Sequence, residues 1–149
     1  MPVYFYSTRE VPYGCFSNFS PHGFEAEKQW WQTSEHYFQA QKFNGTAYAD
    51  LIRLAHTPHE AARLGRARRF PIRDGWEEMK DQVMYHAVLR KFETHCDIRT
   101  LLLATGNELI VENAPSDYYW GCGADGTGKN MLGRILVRVR EVLRRRESR

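Results

Sequence analysis

Residues 33–43, TSEHYFQAQKF, predict a helix that begins near Thr33 or Ser34 and ends before Asn44-Gly45. Threonine and serine are preferred helix caps, and Asn-Gly is a common stop. Outward from this segment, helical spacing and capping signals predict helices over residues 47–55, 58–68, 75–93 and 98–104. Asn130 is predicted to cap a last helix, whose apolar stripe is formed by Leu132, Ile135, Leu136, Val139 and Leu143. Short β-branched or aromatic runs predict strands at residues 3–6, 23–27 and 108–112.

The order of these elements predicts a mainly helical α+β fold with a small β-sheet. Strands and helices do not alternate regularly, which argues against a doubly wound parallel sheet. The 149 residues contain no internal repeat or linker, so we expect a single domain over residues 1–149. No apolar run approaches the ~20 residues of a membrane span, and the N-terminus does not resemble a signal peptide. The sequence therefore predicts a cytoplasmic protein without a membrane partner.

The cysteines and histidines argue against metal and disulfide chemistry. Cys15, Cys96 and Cys122 are odd in number and widely spaced, with no CxxC pair. There is no HExxH motif, and a histidine at a helix start, such as His36, is more often structural than a ligand. The sequence therefore predicts neither a metal site nor a cofactor.

The first group of candidate functional residues lies on one face of the 33–43 helix. Glu35, Phe38 and Gln39 share this face with Lys42, at spacings of three, four and seven. The acid and the amine are two turns apart, about 10 Å along the axis, so their long side chains can converge on one ligand. The alternative is an amphipathic helix with a surface acid and a surface lysine.

A second group lies in residues 117–130, DYYWGCGADGTGKN. Its last eight residues nearly match the phosphate-binding pattern GxxxxGK[ST], but Asn130 replaces the hydroxyl that would hold magnesium. This argues against a nucleoside triphosphatase. Glycines and a following helix N-terminus still suit a phosphate or sugar, although a tight turn before the helix is the alternative. Trp120 is either a stacking surface for a planar base or part of the core.

The positive charge of the chain is dominated by arginine, although the formal net charge is only +3. Arginine favours bidentate contacts with phosphate, and the alternative is two solvated helix faces. The two clusters are Arg63, Arg66, Arg68, Arg69 and Arg73, and Arg144, Arg145 and Arg146.

These motifs together resemble the YbiA-like, or NADAR, family. The resemblance rests on FSNF (16–19), TSEHYFQAQKF (33–43), Gly65-Arg66, Trp76 with Lys80 and Met84, Lys91-Phe92, and residues 115–133. The blocks occur in the family's order and cover nearly the whole chain. The unusually glycine-rich stretch after Trp120 departs from the family pattern.

The resemblance implies a mainly helical α+β fold and an enzyme that cleaves N-glycosidic bonds. It implies substrates among the phosphoribosylamino-pyrimidine intermediates of riboflavin synthesis, or ADP-ribosylated guanine in nucleic acid. It places an imine-forming lysine at Lys42, with Glu35 and Asp117 as candidates for proton transfer and for orienting sugar hydroxyls. The substrate-binding residues implied are Trp120, Arg66, Asn18, Phe19, Gly121, Gly123 and Asp125.

Three functions stay open on the sequence: a metabolite N-glycosidase, an ADP-ribosyl-guanine glycohydrolase acting as an antitoxin on DNA, and a module that binds ADP-ribose or NAD without turnover. A second mechanism also stays open, in which Glu35 or Asp117 activates water and Lys42 serves only as a charge partner. In either case we expect the 35–42 helix and the 117–128 loop to form one pocket. The reason is that acid, amine and aromatic side chains occur together in the two segments that contain them, residues 33–43 and 117–130.

Overall fold

A computed structural model describes residues 1–148, and within them the chain forms six α-helices, four short strands and a 3-10 turn. The mainly helical α+β class predicted above is confirmed. The helices are α1 Ser34–Gln41, α2 Ala47–Arg53, α3 Pro58–Arg66, α4 Trp76–Thr94, α5 Cys96–Ala104 and α6 Met131–Glu147. The strands are β1 Val3–Phe5, β2 Phe24–Ala26, β3 Gln29–Trp31 and β4 Ile110–Glu112.

The β-structure consists of two separate pairs instead of one small sheet. Strands β1 and β4 pair in parallel, with Val3 opposite Ile110. Strands β2 and β3 form an antiparallel hairpin, with Phe24 opposite Trp31. Strand β3 was not predicted, because its three residues merge in sequence with the capping signal of α1.

The chain divides into two compact units. The central unit comprises residues 21–94, and the terminal unit comprises residues 1–20 together with the chain from His95 onward. The single domain expected over residues 1–149 stays a prediction. Among the described residues, no helix combines the length and the apolar character needed to cross a membrane.

Threonine caps begin three consecutive helices of the central unit. Each threonine hydroxyl accepts the backbone N–H three residues later, as the sequence predicted for Thr33. The caps are Thr33 for α1, Thr46 for α2 and Thr57 for α3. Helix α1 is buried along its whole length and packs against α2, α3 and α4. Burial on all sides makes α1 the centre of the unit and holds its side chains in defined positions.

His36 has a structural role, as expected. Its ring is fully buried, with Nδ1 2.8 Å from the Thr33 hydroxyl and Nε2 3.0 Å from the carbonyl oxygen of Ala55. Burial lowers the pKa of His36, and the bond to Ala55 partly offsets this. Nδ1 thus bonds within the N-terminal turn of α1, and Nε2 joins α1 to the segment after α2.

The β2–β3 hairpin is attached to a different side of α1. Its turn residues Glu27 and Lys28 have positive φ angles of 55° and 64°, which are unfavourable for side chains other than glycine. The Glu27 carboxylate accepts hydrogen bonds from the Tyr37 hydroxyl at 2.9 Å and from Gln41 Nε2 at 3.3 Å. These contacts hold the turn in place and leave the Glu35–Lys42 face of α1 to α3 and α4.

In the terminal unit, helix α6 buries the predicted apolar stripe of Leu132, Ile135, Leu136, Val139 and Leu143. The cap predicted at Asn130 differs in its contacts. Asn130 occupies the N-cap position with a φ of 54°, but its side chain makes no capping hydrogen bond. Its amide instead accepts the N–H of Glu112 at 2.9 Å and donates to the carbonyl of Ile110 at 2.9 Å. Asn130 therefore fastens β4 to the start of α6.

Candidate active site

The central unit places the amine of Lys42 between α1 and α3. Lys42 is the C-cap residue of α1 and is half-buried. Its Nζ lies 3.3 Å from the carbonyl oxygen of Gly65, in the last turn of α3. The same nitrogen lies 5.9 Å from the centroid of the Phe38 ring. The hydrogen bond to the Gly65 carbonyl and the nearby Phe38 ring therefore position the amine.

Several charges surround this amine, but burial has the largest effect and lowers the pKa of Lys42. The Glu35 carboxylate raises the pKa and partly offsets the effect of burial, whereas the guanidinium of Arg66 lowers the pKa further. On α4, Glu77 raises the pKa and Lys80 lowers it, each by a smaller effect. The net lowering increases the neutral fraction of the amine, which is the form that attacks an electrophile.

Glu35 is the second polar group of this face and is 6% exposed. Gln39 Nε2 donates to Glu35 Oε2 at 2.7 Å. Phe38 lies between the two ends of the face and packs on Trp76 of α4, with ring centroids 5.2 Å apart. The shared face predicted for Glu35, Phe38, Gln39 and Lys42 is confirmed by these contacts.

Sequence reasoning missed part of this site. The contact of Lys42 with the Gly65 carbonyl had no local signal, because a backbone acceptor 23 residues away leaves no trace in residue type. The electrostatic influence of Glu77 was also missed. Lys80 was identified only as one of the residues that resemble the NADAR family pattern. Both lie on α4, whose approach to α1 depends on tertiary packing.

The terminal unit holds the other predicted catalytic residue, Asp117. Its Oδ1 accepts the backbone N–H of Tyr119 at 3.0 Å and that of Trp120 at 2.8 Å. Trp120 is half-buried and packs edge-on against the Tyr119 ring, at a centroid distance of 4.9 Å. One oxygen of Asp117 thus positions the segment that carries Trp120.

Two variants of Asp117 should separate this structural role from proton transfer. Asp117→Asn keeps the Oδ1 acceptor, so we expect the free energy of unfolding to change by less than about 0.5 kcal/mol. Asp117→Ala removes the acceptor of two N–H groups and should destabilise by about 1 kcal/mol. If the carboxylate transfers a proton, both variants should lose about 100-fold or more in kcat. Denaturant unfolding and turnover measure the two effects, and normal turnover of Asp117→Asn would limit Asp117 to positioning Trp120.

The glycine-rich loop is held largely by its own backbone hydrogen bonds. Its N–H groups donate to backbone carbonyls at 2.7 to 3.1 Å, at Cys122, Gly123, Gly128, Lys129 and Asn130. A phosphate cradle of the P-loop type uses such N–H groups for the ligand, and here they are engaged within the terminal unit. The assignment of Gly121 and Gly123 to substrate binding stays a prediction.

Close packing and backbone conformation explain these two glycines. A Cβ at Gly121 would lie 2.8 Å from the Cβ of Ala114, and one at Gly123 would overlap the Tyr118 ring. Gly123 also has a φ of 73°. Asp125 is exposed, and its pKa is lowered by hydrogen bonds from the hydroxyl and N–H of Thr127, at 2.7 and 3.1 Å.

The remaining predicted residues lie in both units. Arg66 is exposed at the end of α3, in the central unit with Glu35 and Lys42. Asn18 is buried and Phe19 half-buried in the terminal unit, after the 3-10 turn Tyr13–Phe16. The pocket expected between the 35–42 helix and the 117–128 loop stays a prediction. Among residues 1–148, no cluster of three or more His, Cys, Asp or Glu side chains is arranged to hold a metal ion.

Comparison with known proteins identifies the family to which this chain belongs. The NADAR domain matches residues 4–144. An N-glycosidase of Nostoc punctiforme is 54% identical over 147 residues, which cover 97% of this chain and 94% of the relative. N-glycosidase YbiA of Escherichia coli strain K12 is 48% identical over 141 residues, which cover 95% of this chain and 88% of YbiA.

The NMR structure of E. coli YbiA superposes with a TM-score of 0.91 at 46% identity, covering 99% of this chain and 87% of that structure. A chloroplastic riboflavin biosynthesis protein of Zea mays, PYRR, is 41% identical over 153 residues, which cover 93% of this chain and 24% of the maize protein. The chain therefore belongs to the NADAR domain family and has the fold of YbiA. It is a hydrolase of the glycosidase type.

Proposed function

We propose that the protein hydrolyses the N-glycosidic bond of a phosphorylated ribosyl compound, with Lys42 as the nucleophile. The observation that carries this proposal is the half-buried amine of Lys42, which has a lowered pKa and shares a helix face with the buried Glu35. A surface lysine beside a surface acid would have neither the burial nor the lowered pKa. The names of the Nostoc and E. coli relatives support the bond class.

In the proposed reaction, Nζ of Lys42 attacks the anomeric carbon of the ribose. The N-glycosidic bond breaks and the leaving nitrogen takes one proton from Nζ. The bond between the anomeric carbon and the ring oxygen then breaks, the ring oxygen takes the second proton, and an imine remains between Nζ and the former anomeric carbon. Water then hydrolyses the imine, which releases the ribose product and the free lysine. Glu35 and Asp117 are the groups proposed to move protons and to orient the sugar hydroxyls.

The proposed substrate class is a phosphoribosylamino-pyrimidine of riboflavin synthesis. The riboflavin biosynthesis name of the maize relative supports this choice. Arg66 is proposed to bind the phosphate, because it is exposed and its charge acts on Lys42. Trp120 is proposed to stack on the base, and Asn18, Phe19 and the loop glycines to line the ribose pocket.

A second candidate substrate is ADP-ribosylated guanine in nucleic acid. Exposed arginines at the end of α3 and after it favour this alternative, notably Arg66, Arg68 and Arg69. Phe70 follows them with half of its surface exposed, supported by the ring of Tyr48 at 4.7 Å. Arginines beside an exposed aromatic ring suit a phosphate backbone and its bases. A binding module without turnover is the third candidate, but it requires neither a neutral lysine nor a carboxylate beside it.

The test is to incubate the protein with each substrate class and to follow the released base or amine by mass spectrometry. We expect release from the ribosylamino-pyrimidine, with little dependence on salt. If modified DNA is the substrate, turnover should fall steeply with salt, because phosphate contacts release counterions. Neutralising Arg68 and Arg69 together should then reduce turnover on DNA more than on the small substrate. Binding of ADP-ribose without any release would favour the third candidate.

A further inference from the structure

Gln39 lies beside the proposed catalytic pair, and its side chain has an unusual hydrogen-bonding state. It is 3% exposed, and its Nε2 donates to Glu35 Oε2 at 2.7 Å. Its Oε1 is buried and has no hydrogen-bond partner among residues 1–148. A buried carbonyl oxygen without a donor is unfavourable for stability. The Gln39 amide is therefore oriented so that Nε2 bonds to Glu35, while Oε1 has no donor.

Gly65 explains how Gln39 is held in this orientation. A Cβ on Gly65 would overlap Gln39 Oε1 and would lie 2.7 Å from the Cδ of Gln39. The missing side chain of Gly65 thus leaves space for the Gln39 amide. Gly65 also supplies the carbonyl oxygen 3.3 Å from Lys42 Nζ. Gly65 therefore contacts Lys42 directly and affects Glu35 indirectly, through Gln39.

The neighbouring carbonyl shows that the end of α3 is anchored. The hydroxyl of Tyr48 donates to the carbonyl oxygen of Leu64 at 2.6 Å, in a buried position. The Gly65 carbonyl follows directly in the chain, so its position relative to α1 and α2 is well defined. A neutral lysine that donates one N–H to this carbonyl keeps its lone pair available in a defined direction.

We propose that Gln39 and Gly65 are positioning residues: Gln39 holds the Glu35 carboxylate, and Gly65 makes room for Gln39 while its carbonyl holds the Lys42 amine. This inference rests on the proposed function, because it concerns the same acid and the same nucleophile. It adds that the acid and the amine are set relative to each other through α3. Small displacements of reacting groups are sufficient to reduce kcat strongly.

The decisive variant is Gln39→Met, which keeps the length of the side chain but cannot donate a hydrogen bond. We expect kcat on the ribosyl substrate to fall about 100-fold, with KM changed much less. We also expect Tm to change little, because removal of the unsatisfied Oε1 offsets the loss of the donor to Glu35 Oε2. A purely structural role would instead lower Tm together with activity.

Gln41→Met is the matched control, because Gln41 lies on the same helix and donates to Glu27 from another face. It should lower Tm slightly and leave kcat unchanged. Gly65→Ala should reduce kcat at least as much as Gln39→Met does, because Gly65 contacts both Gln39 and Lys42. The double variant should lose less than the two separate effects combined, because both changes disturb the bond between Gln39 and Glu35. If Gly65→Ala does not fold, Gln39→Met against Gln41→Met decides the question.

The inference would be overturned if Gln39→Met had the kcat of the wild type, or if both methionine variants lost Tm and kcat in parallel. In either case, turnover by the wild-type protein would leave the proposed function standing. A wild-type protein that releases no base from any ribosyl substrate would overturn the proposed function, and the positioning role with it.

Discussion

Lys42→Arg should lose turnover by on the order of a thousandfold or more, as enzymes do when a covalent nucleophile is removed. Arginine keeps the positive charge near Glu35 and can still donate a hydrogen bond to the Gly65 carbonyl. It cannot form the imine, because a guanidinium stays protonated. The substitution therefore separates a nucleophile from a charge partner. Borohydride added during turnover should reduce the imine to a stable sugar adduct on Lys42 in the wild type and form no adduct in the variant.

Lys80→Arg is the matched control for this experiment. Lys80 lies on α4, and its charge acts on the same amine. Its replacement preserves that charge, so we expect turnover within a few-fold of the wild type and an unchanged adduct on Lys42. Near-normal turnover of Lys42→Arg, or an active wild type in which borohydride traps nothing, would favour direct attack by water, activated by Glu35 or Asp117.

Glu35→Gln should reduce kcat by about 10²- to 10⁴-fold, the usual contribution of a general acid or base. The electrostatic effect of the change has the opposite sign. Because the Glu35 carboxylate raises the pKa of Lys42, its removal lowers that pKa further and increases the neutral fraction of the amine at neutral pH. A large loss of activity would therefore identify proton transfer or sugar orientation, since the electrostatic effect alone predicts a gain.

Glu77→Gln tests the electrostatic effect by itself. Glu77 also raises the pKa of Lys42, but its side chain is 74% exposed and bonded to Lys80 at 2.6 Å. Turnover by a neutral amine rises as the pH increases through the pKa of Lys42. Removing Glu77 should therefore move the acidic limb of the pH–kcat/KM profile to lower pH, with little change at its plateau. If Glu35→Gln behaves in the same way as Glu77→Gln, then Glu35 has no role in proton transfer.

Local signals were sufficient for most of the helices. The Thr33 cap and the α6 stripe depend on residues within one or two turns of each other, and such patterns are readable along the chain. The β2–β3 turn was not readable. Glu27 and Lys28 adopt positive φ angles that their residue types disfavour, and contacts of Glu27 with Tyr37 and Gln41 hold them there.

The 117–130 loop shows the same limit at the level of function. Its glycines and its lysine resemble a phosphate-binding motif, and residue types alone leave that interpretation open. In the structure, backbone N–H groups of the loop bond to carbonyls of the terminal unit, and the Asn130 side chain bonds to β4. Whether an N–H is available to a ligand depends on which acceptors the fold brings close.

The sequence by itself determined the mainly helical α+β class, the extent of most helices and the shared face of Glu35 and Lys42, because helical periodicity is a local property of the chain. Tertiary structure alone decided that this face is buried, that Lys42 contacts Gly65 of α3, and that Gln39 bonds to Glu35 beside that glycine. It also decided the lowered pKa of Lys42. Burial and the distances between charges arise from residues far apart in the chain, and only packing brings them together.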